Sequence, residues 1–377
     1  MRALTQDGEM QALQPTDKDY WKHIVSANNS FGVELLKTIA LAKPLDNIFI
    51  SPTSIFLLMS MLYNGAAGDT YLQMAAGLKL PNPQEINPWN RQLINHLTSA
   101  NFSHELLLAS ALWFGKGILC HDQFVNSCIE SYSASLYGID FDSPEAPSQI
   151  NFWAANATRG NIDQVVGEDI LGASLMITNA IYFFARWAEH FDRSQSAAGP
   201  FHMAGGGTRE AIFMSKTAQY EYFESEAFQV LKLPYANSPF FMQVILPKPG
   251  FHFGHCLPAL AQPTMPMIPC ELQLQMPRFT LEFEFEVKEF LPRLGIDNFN
   301  DFSLICPGLQ VSNVLHKSKL KVDEEGTEAA AVTAAVGWGS APRQALLMRV
   351  DRPFLLNIVD GGSGQILFSG AVVAPQS

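Results

Sequence analysis

Residues 321–343 read Lys-Val-Asp-Glu-Glu-Gly-Thr-Glu-Ala-Ala-Ala-Val-Thr-Ala-Ala-Val-Gly-Trp-Gly-Ser-Ala-Pro-Arg. From Thr327 to Gly337 every other side chain is small: Thr327, Ala329, Ala331, Thr333, Ala335 and Gly337. Between them stand Glu328, Ala330, Val332, Ala334 and Val336. Period-two alternation is strand geometry, because successive side chains leave opposite faces. A parity of small residues can pass over a packed core without clashing. Yet the segment opens on Glu324-Glu325-Gly326-Thr327 and closes on Gly337-Trp338-Gly339-Ser340-Ala341-Pro342, which is loop chemistry. The composition is that of a loop built to become a strand.

On either side of this segment, helical and strand patterns separate along the chain. Asp17 to Leu41 places Ile24, Phe31, Leu35 and Ile39 on one helical face. Ser51-Pro52 starts a second helix, since Ser caps and Pro suits the first helical position. Further helices are predicted near 68–78, 85–99 and 148–160. His104 to Phe114 reads as a strand, Leu175 to Phe184 as a strand buried on both faces, and Phe228 to Leu246 as a hairpin turning at Ala236-Asn237-Ser238. Leu272 to Val287 alternates strongly, with Phe279, Leu281, Phe283 and Phe285 on one parity, and Phe354 to Val373 is a second hairpin turning through Gly361-Gly362-Ser363-Gly364. Helices gather early and strands late without βαβ alternation, which predicts an α+β fold.

The chain has 377 residues, 47% hydrophobic and 16% charged, enough for a sizeable core. No linker divides it, so one domain is expected over 17–377 behind a loose, unstructured tail over residues 1–16. Net charge is −12 with no basic stripe, which argues against nucleic acid, heparin-like polyanions and anionic membranes as partners. The five cysteines are odd in number and lack Cys-x-x-Cys spacing, so they read as thiols rather than a disulfide framework or zinc site. Met1 to Gln14 carries no signal-peptide core, and Ile55 to Tyr63 is too short to span a bilayer. A cytoplasmic location follows for the chain as given, and an extracellular one if a leader is missing or export is unconventional.

Catalytic signatures are absent from the sequence: there is no Gly-x-Ser-x-Gly elbow, Walker loop or dinucleotide fingerprint. His252-x-x-His255-Cys256 has the spacing of a metal site, but it follows Pro247-Lys248-Pro249-Gly250 and reads as a loop. No metal or cofactor is expected, and the chain does not read as an enzyme.

The segment Glu324 to Ala331 resembles the hinge of the serpins, the serine-protease-inhibitor superfamily, whose pattern is Glu-Glu-Gly-Thr-Glu-Ala-Ala-Ala. Asn47 to Ser54 resembles the family's Asn-x-x-x-Ser-Pro-x-Ser, and Asn151 to Ile162 its Asn-x-Trp-x-x-x-x-Thr-x-Gly-x-Ile. Asn179 to Phe183 with Trp187 and Phe191 resembles its central-sheet signature. Val314-Leu315-His316-Lys317, Met276 to Phe279, Arg352-Pro353-Phe354 and Leu367 to Gly370 resemble further family segments, in family order. The chain departs from the pattern at Phe184-Ala185, where Lys-Gly is common, and at Val332, where the family has Ala or Ser.

The resemblance implies helices packed on a large mixed central sheet plus two smaller sheets, with an exposed reactive loop over about 324–348. It implies a monomeric suicide inhibitor whose partner is a target protease. The protease attacks the loop, and the cut loop inserts as a new strand through a hinge of Glu324, Glu325, Gly326, Thr327, Glu328, Ala329, Ala330, Ala331, Val332 and Thr333. Roughly fourteen inserted residues at ~3.3 Å each would carry the protease ~45 Å. Ser51, Ser54, Asn179 and His316 would form the family's hydrogen-bonded shutter, and Trp187 would stand at the breach above it. The alternative is a non-inhibitory serpin acting as carrier, storage protein or chaperone.

Family spacing puts the cut at Ser340–Ala341. Gly337 to Pro342 also resembles the loop of squamous-cell-carcinoma-antigen-type serpins, which trap papain-like cysteine proteases. Such enzymes read the side chain two residues before the cut in an apolar pocket. Trp338 in that pocket favours Gly339–Ser340 as the reactive bond. Both bonds remain open, as do elastase-like cleavage after Ser340 and chymotrypsin-like cleavage after Trp338.

Overall fold

Ser51 caps the second helix as its sequence predicts. Its backbone is extended, its hydroxyl accepts from the Ser54 N–H, and Pro52 occupies the first helical turn. The computed structural model describes residues 18–98, 105–263, 265–327 and 346–376. The expected tail over 1–16 lies outside them. The helices are α1 (Lys18–Ala42), α2 (Pro52–Tyr63), α3 (Gly68–Leu78), α4 (Pro83–Leu97), α5 (Asp122–Tyr132), α6 (Ala146–Ala157) and the short α7 (Leu257–Ala261). Every residue of α2 is buried. A helix apolar on all sides belongs in the middle of a molecule, and α2 packs against α1, α4, α5 and the C-terminal strand.

The central sheet has six strands, the first five in the order β10-β11-β4-β2-β3: β10 (Phe279–Glu286), β11 (Val311–Val322), β4 (Leu175–Arg186), β2 (Glu105–Gly115) and β3 (Ser135–Ile139). The sixth is β12 (Gly326–Thr327), paired to the end of β4. The sheet is mixed. β11 runs parallel to β4 and β2 parallel to β3, whereas β10–β11 and β2–β4 are antiparallel.

A second path joins nine strands: β1 (Ile48–Ile50), β15 (Ile366–Val372), β14 (Phe354–Asp360), β8 (Phe240–Pro247), β7 (Phe228–Pro234), β6 (Thr208–Glu224), β9 (Ile268–Pro277) and β13 (Leu346–Arg349), with β5 (Ala197–His202) on β6. The two smaller sheets expected are continuous here, because the 17-residue β6 pairs with β5 near one end and β7 at the other. Phe183 of β4 meets Tyr235, Phe240 and Phe368, so aromatic packing sews the central sheet to the second one.

The alternating stretch Leu272 to Val287 divides into two strands: β9 ends at Pro277, and β10 begins at Phe279 in the other sheet. The burial parity shifts from Leu272, Leu274 and Met276 to Phe279, Leu281, Phe283 and Phe285 at this break. Pro277 has no N–H to continue the ladder, and the Arg278 N–H turns to the Ile212 carbonyl. At the two ends of the loop expected over about 324–348, Gly326–Thr327 and Leu346–Met348 pair in sheets.

Candidate functional site

β11 and β4 run side by side from Val311/Leu175 to Lys319/Tyr182 and then separate. Into the space above Tyr182 comes β12. The chain leaves β11, reverses through Glu324-Glu325, and pairs antiparallel to β4, with Gly326 opposite Arg186 and Thr327 opposite Ala185. The reversal closes on itself, with Asp323 N–H donating to the Gly326 carbonyl (2.9 Å) and Gly326 N–H to the Asp323 carbonyl (3.3 Å).

Trp187 holds this turn. Its indole N–H donates to the Asp323 carbonyl at 3.0 Å, and its backbone N–H to the Glu325 carbonyl at 3.0 Å. The ring is buried and stacked on Tyr235, centroids 4.8 Å apart. The Phe191 N–H donates to the Glu324 carbonyl at 2.9 Å. Trp187, expected at the breach, therefore contacts Asp323 and Glu325 directly.

Glu324 is a carboxylate with 1% exposure. Oε1 accepts from the Ser196 hydroxyl at 2.5 Å and lies 2.8 Å from Arg278 Nε. That second contact is an ion pair by distance, but its angle falls short of a hydrogen bond. A buried carboxylate needs such partners. Glu325 pairs with Arg193 at 2.9 Å, an outer contact that water screens because Arg193 is largely exposed. Arg193, Arg278, Lys321 and Asp323 also line an open cleft of about 500 Å³ beside the turn.

Gly326 is required where it stands. Its φ is +144°, and a Cβ there would lie 2.4 Å from the Ala185 carbonyl oxygen and 2.6 Å from Arg186 Cα. Only glycine brings the backbone this close to β4. Of the expected hinge, Glu324, Glu325, Gly326 and Thr327 are therefore placed at the top of the β11–β4 seam. Glu328, Ala329, Ala330, Ala331, Val332, Thr333, Trp338, Gly339, Ser340 and Ala341 lie outside the described residues.

Lower in the seam, the four shutter candidates come together. Asn179 Oδ1 accepts from the Ser54 hydroxyl (2.7 Å) and from His316 Nδ1 (2.7 Å). His316 Nε2 accepts from the Ser51 N–H at 3.2 Å, which fixes the neutral tautomer with the proton on Nδ1. Ser51 Oγ donates to the Leu367 carbonyl at 2.6 Å. The amide of Asn179 donates to Ser110 Oγ and the Ala109 carbonyl of β2. His316 has no solvent exposure, and desolvation by burial pushes its pKa down to about 3. Because His316 sits on β11 opposite Asn179 on β4, this network clasps the seam shut.

Arg278, Ser196 and Ser110 escaped the sequence reading as site residues. Arg278 alone left a trace, as a charge at the point where the apolar parity shifts. His252 and His255, the tempting metal pair, cap a short helical turn, with His252 Nδ1 accepting from the Gly254 N–H. Among the described residues no group of three or more His, Cys, Asp or Glu is placed to hold a metal ion, and no helix is long and apolar enough to cross a membrane.

A family model described as Serpin (serine protease inhibitor) matches residues 26–375. An uncharacterised serpin-like protein of Thermococcus kodakarensis is 33% identical over 373 residues, covering 94% of this chain and 86% of its own. The leukocyte elastase inhibitor of Bos taurus is 31% identical over 379 residues, covering 94% and 100%. Among solved structures, the thermophilic serpin tengpin in its native state matches with a TM-score of 0.85 at 25% identity, covering 96% of each chain. Human thyroxine-binding globulin matches at 0.84 and 25%, covering 95% of this chain and all of its own.

Proposed function

The chain belongs to the serpin family, and from that premise we propose that it is a suicide-substrate inhibitor that traps its target protease by inserting the cut loop between β11 and β4. One observation carries this reading, the register of β12. Thr327 stands opposite Ala185 in an antiparallel pair. Continuing that register one residue for one sets Ala329 against Phe183, Ala331 against Ile181, Thr333 against Asn179 and Gly337 against Leu175. Leu175 is the first residue of β4. The small-residue run Thr327–Gly337 would therefore end at the level where β4 begins.

Opposed residues of an antiparallel pair share a face. Leu175, Ile177, Ile181, Phe183 and Ala185 belong to the main hydrophobic core. The small parity would enter that core, while Glu328, Ala330, Val332, Ala334 and Val336 would lie on the other face with Met176 and Ala180, beneath α6. Insertion also turns one parallel contact into two antiparallel ones, which are slightly more stable per residue. It parts β11 from β4 and so breaks the His316–Asn179 bond, bringing Thr333 to that level.

The protease nucleophile attacks the loop carbonyl and forms an acyl-enzyme, releasing the new amino terminus. The hinge, already turned at Asp323–Gly326, feeds residues 328–337 down the seam. The tethered protease is dragged to the far end before water completes hydrolysis. For target class we propose papain-like cysteine proteases, with Trp338 in the apolar pocket and the cut at Gly339–Ser340; elastase- or chymotrypsin-like enzymes are the second choice. A carrier role is disfavoured by a hinge, Glu324 to Thr333, that holds no proline and whose core-directed parity, Thr327, Ala329, Ala331 and Thr333, is small throughout.

The test of the inhibitor reading is Thr327→Arg. The arginine would have to be buried beside Ala185, and an unpaired buried charge costs several kcal/mol, so the variant should be cleaved as a substrate. A complex stable in SDS at wild-type yield would overturn the reading. The bond is assigned by mass spectrometry of the peptide released from a papain complex. A peptide beginning at Ser340 supports the assignment, and one beginning at Ala341 refutes it.

A further inference from the structure

The segments that hold Cys120 and Cys306, far apart in sequence, meet near the lower end of the same seam. Cys120 is in the segment that leaves β2 for α5, and Cys306 in the segment that leads into β11. The two segments are tied by His121, whose N–H donates to the Ile305 carbonyl at 2.9 Å and whose Nδ1 lies 3.2 Å from the Leu304 carbonyl. The cysteines are the neighbours flanking this bonded pair, one on each side. Both anchors are firm. Phe302 and Ile305 are fully buried, and Ile305 presses on Gly65 so closely that a Cβ there would lie 2.1 Å from its Cγ1.

Both thiols are free and half-buried, and their neighbours Leu119 and Leu304 are exposed, so a small reagent reaches them from solvent. Burial, and then the neighbouring Cys306, push the Cys120 thiol up to about 11. The third nearby cysteine, Cys128, is fully buried, and its thiol is pushed further up by desolvation.

We propose that Cys120 and Cys306 form a redox pair whose disulfide joins the β2–β4 half of the central sheet to the β10–β11 half and so locks the seam against loop insertion. The location makes this a lock. β4 and β2 lie on one side of the seam and β11 on the other, and a strand entering to the level of Leu175 must separate them by a strand's width, ~4.8 Å. The lower end is already pinned by the Ser174 N–H on Ser312 Oγ at 2.9 Å. A covalent link between the segment that leaves β2 and the segment that enters β11 would oppose the last part of the opening.

The oxidant is a low-molecular-weight disulfide of the glutathione class. The Cys306 thiolate attacks it, forming a mixed disulfide and expelling one thiolate. The Cys120 thiolate then attacks Cys306 Sγ, forming the internal S–S bond and expelling the second. The two protein protons leave with the two small thiols, so one disulfide is reduced as the other forms.

The lock rests on the insertion reading, but the linkage is tested apart from it. Full-length protein is equilibrated in oxidised and reduced glutathione mixtures, alkylated and peptide-mapped. A Cys120–Cys306 peptide is expected under oxidising mixtures, and in Cys306→Ser no Cys120 crosslink forms. Thiols that stay alkylatable at every potential, or a link to Cys128 instead, would overturn the pair. In the second arm the segment 338–343 is nicked with elastase or chymotrypsin, and thermal unfolding is followed. The reduced protein should gain stability on nicking, the oxidised protein should lose most of that gain, and Cys306→Ser should gain under both conditions. An equal gain in oxidised and reduced wild type would remove the lock. No gain in the reduced protein would refute insertion itself and leave the mapped linkage standing.

Discussion

Replacing His316 with glutamine should remove a defined part of the protein's acid sensitivity. His316 titrates near 6.5 when unfolded and near 3 when folded, because burial excludes its charged form. Above pH 6.5 both states hold it neutral, and it adds nothing to the pH dependence. As pH falls from about 6.5 towards about 3, the unfolded state takes up a proton that the folded state refuses. Stability is therefore lost over that window at roughly 1.4 kcal/mol per pH unit. By pH 4.5 the loss is about 3 kcal/mol. With ~2.1 cal/mol/K of unfolding entropy per residue, the 377-residue chain has about 0.8 kcal/mol/K, so the melting midpoint falls by about 4 °C from this one side chain. Glutamine keeps an acceptor for the Ser51 N–H and a donor for Asn179 Oδ1 but does not titrate. Scanned at one heating rate, wild type should lose about 4 °C more than His316→Gln between pH 7 and pH 4.5. Equal losses in the two proteins would refute the assignment of a neutral, desolvated His316 to the seam.

Two further outcomes follow from the hinge. Gly326→Ala forces a Cβ into the Ala185 carbonyl at positive φ, which should cost about 1–3 kcal/mol locally; the Trp187 amide, bonded to Glu325, should exchange with deuterium faster, and unchanged exchange would count against the close approach. Glu324→Gln strips the charge from the Arg278 and Ser196 contacts and should cost on the order of 1–2 kcal/mol, discounted because Arg278 is partly exposed; Trp187 fluorescence should shift as the turn loosens, and an unmoved spectrum and melting midpoint would show that the pair does not hold the hinge.

How much of this was legible in the sequence depends on which interactions were local. The Ser51-Pro52 cap and the apolar run of β4 were readable because each is decided by neighbouring residues. The end of β9 was not marked because Leu272 to Val287 keeps alternating in general character. The slip from even to odd apolar positions at Pro277-Arg278 was the available sign. β6 was missed because only part of its length faces the core, so no clean period runs through Thr208–Glu224. The shutter could be named only by resemblance. Nothing local to Asn179 says that its amide oxygen meets Ser54 and His316, which lie 125 and 137 residues away. Arg278 and Ser196 were hidden for the same reason: a buried carboxylate finds its partners across the fold.

The short strand β13 has a consequence for how long the protein stays in working order. It is the outermost strand of its path, four residues paired to β9, with Leu346 and Leu347 partly exposed. In an uncut chain the hinge is fastened to the central sheet and β13 to the other. If residues 328–337 slid down to Leu175 uncut, only eight residues would remain to climb back, reaching at most ~28 Å against ~36 Å for the length of β4. The chain cannot complete that movement unless β13 peels from β9. Under the proposed insertion mechanism, an edge strand of four residues would then act as the timer on the intact molecule. Its rate of peeling would set the interval within which a target must arrive before the loop inserts uncut.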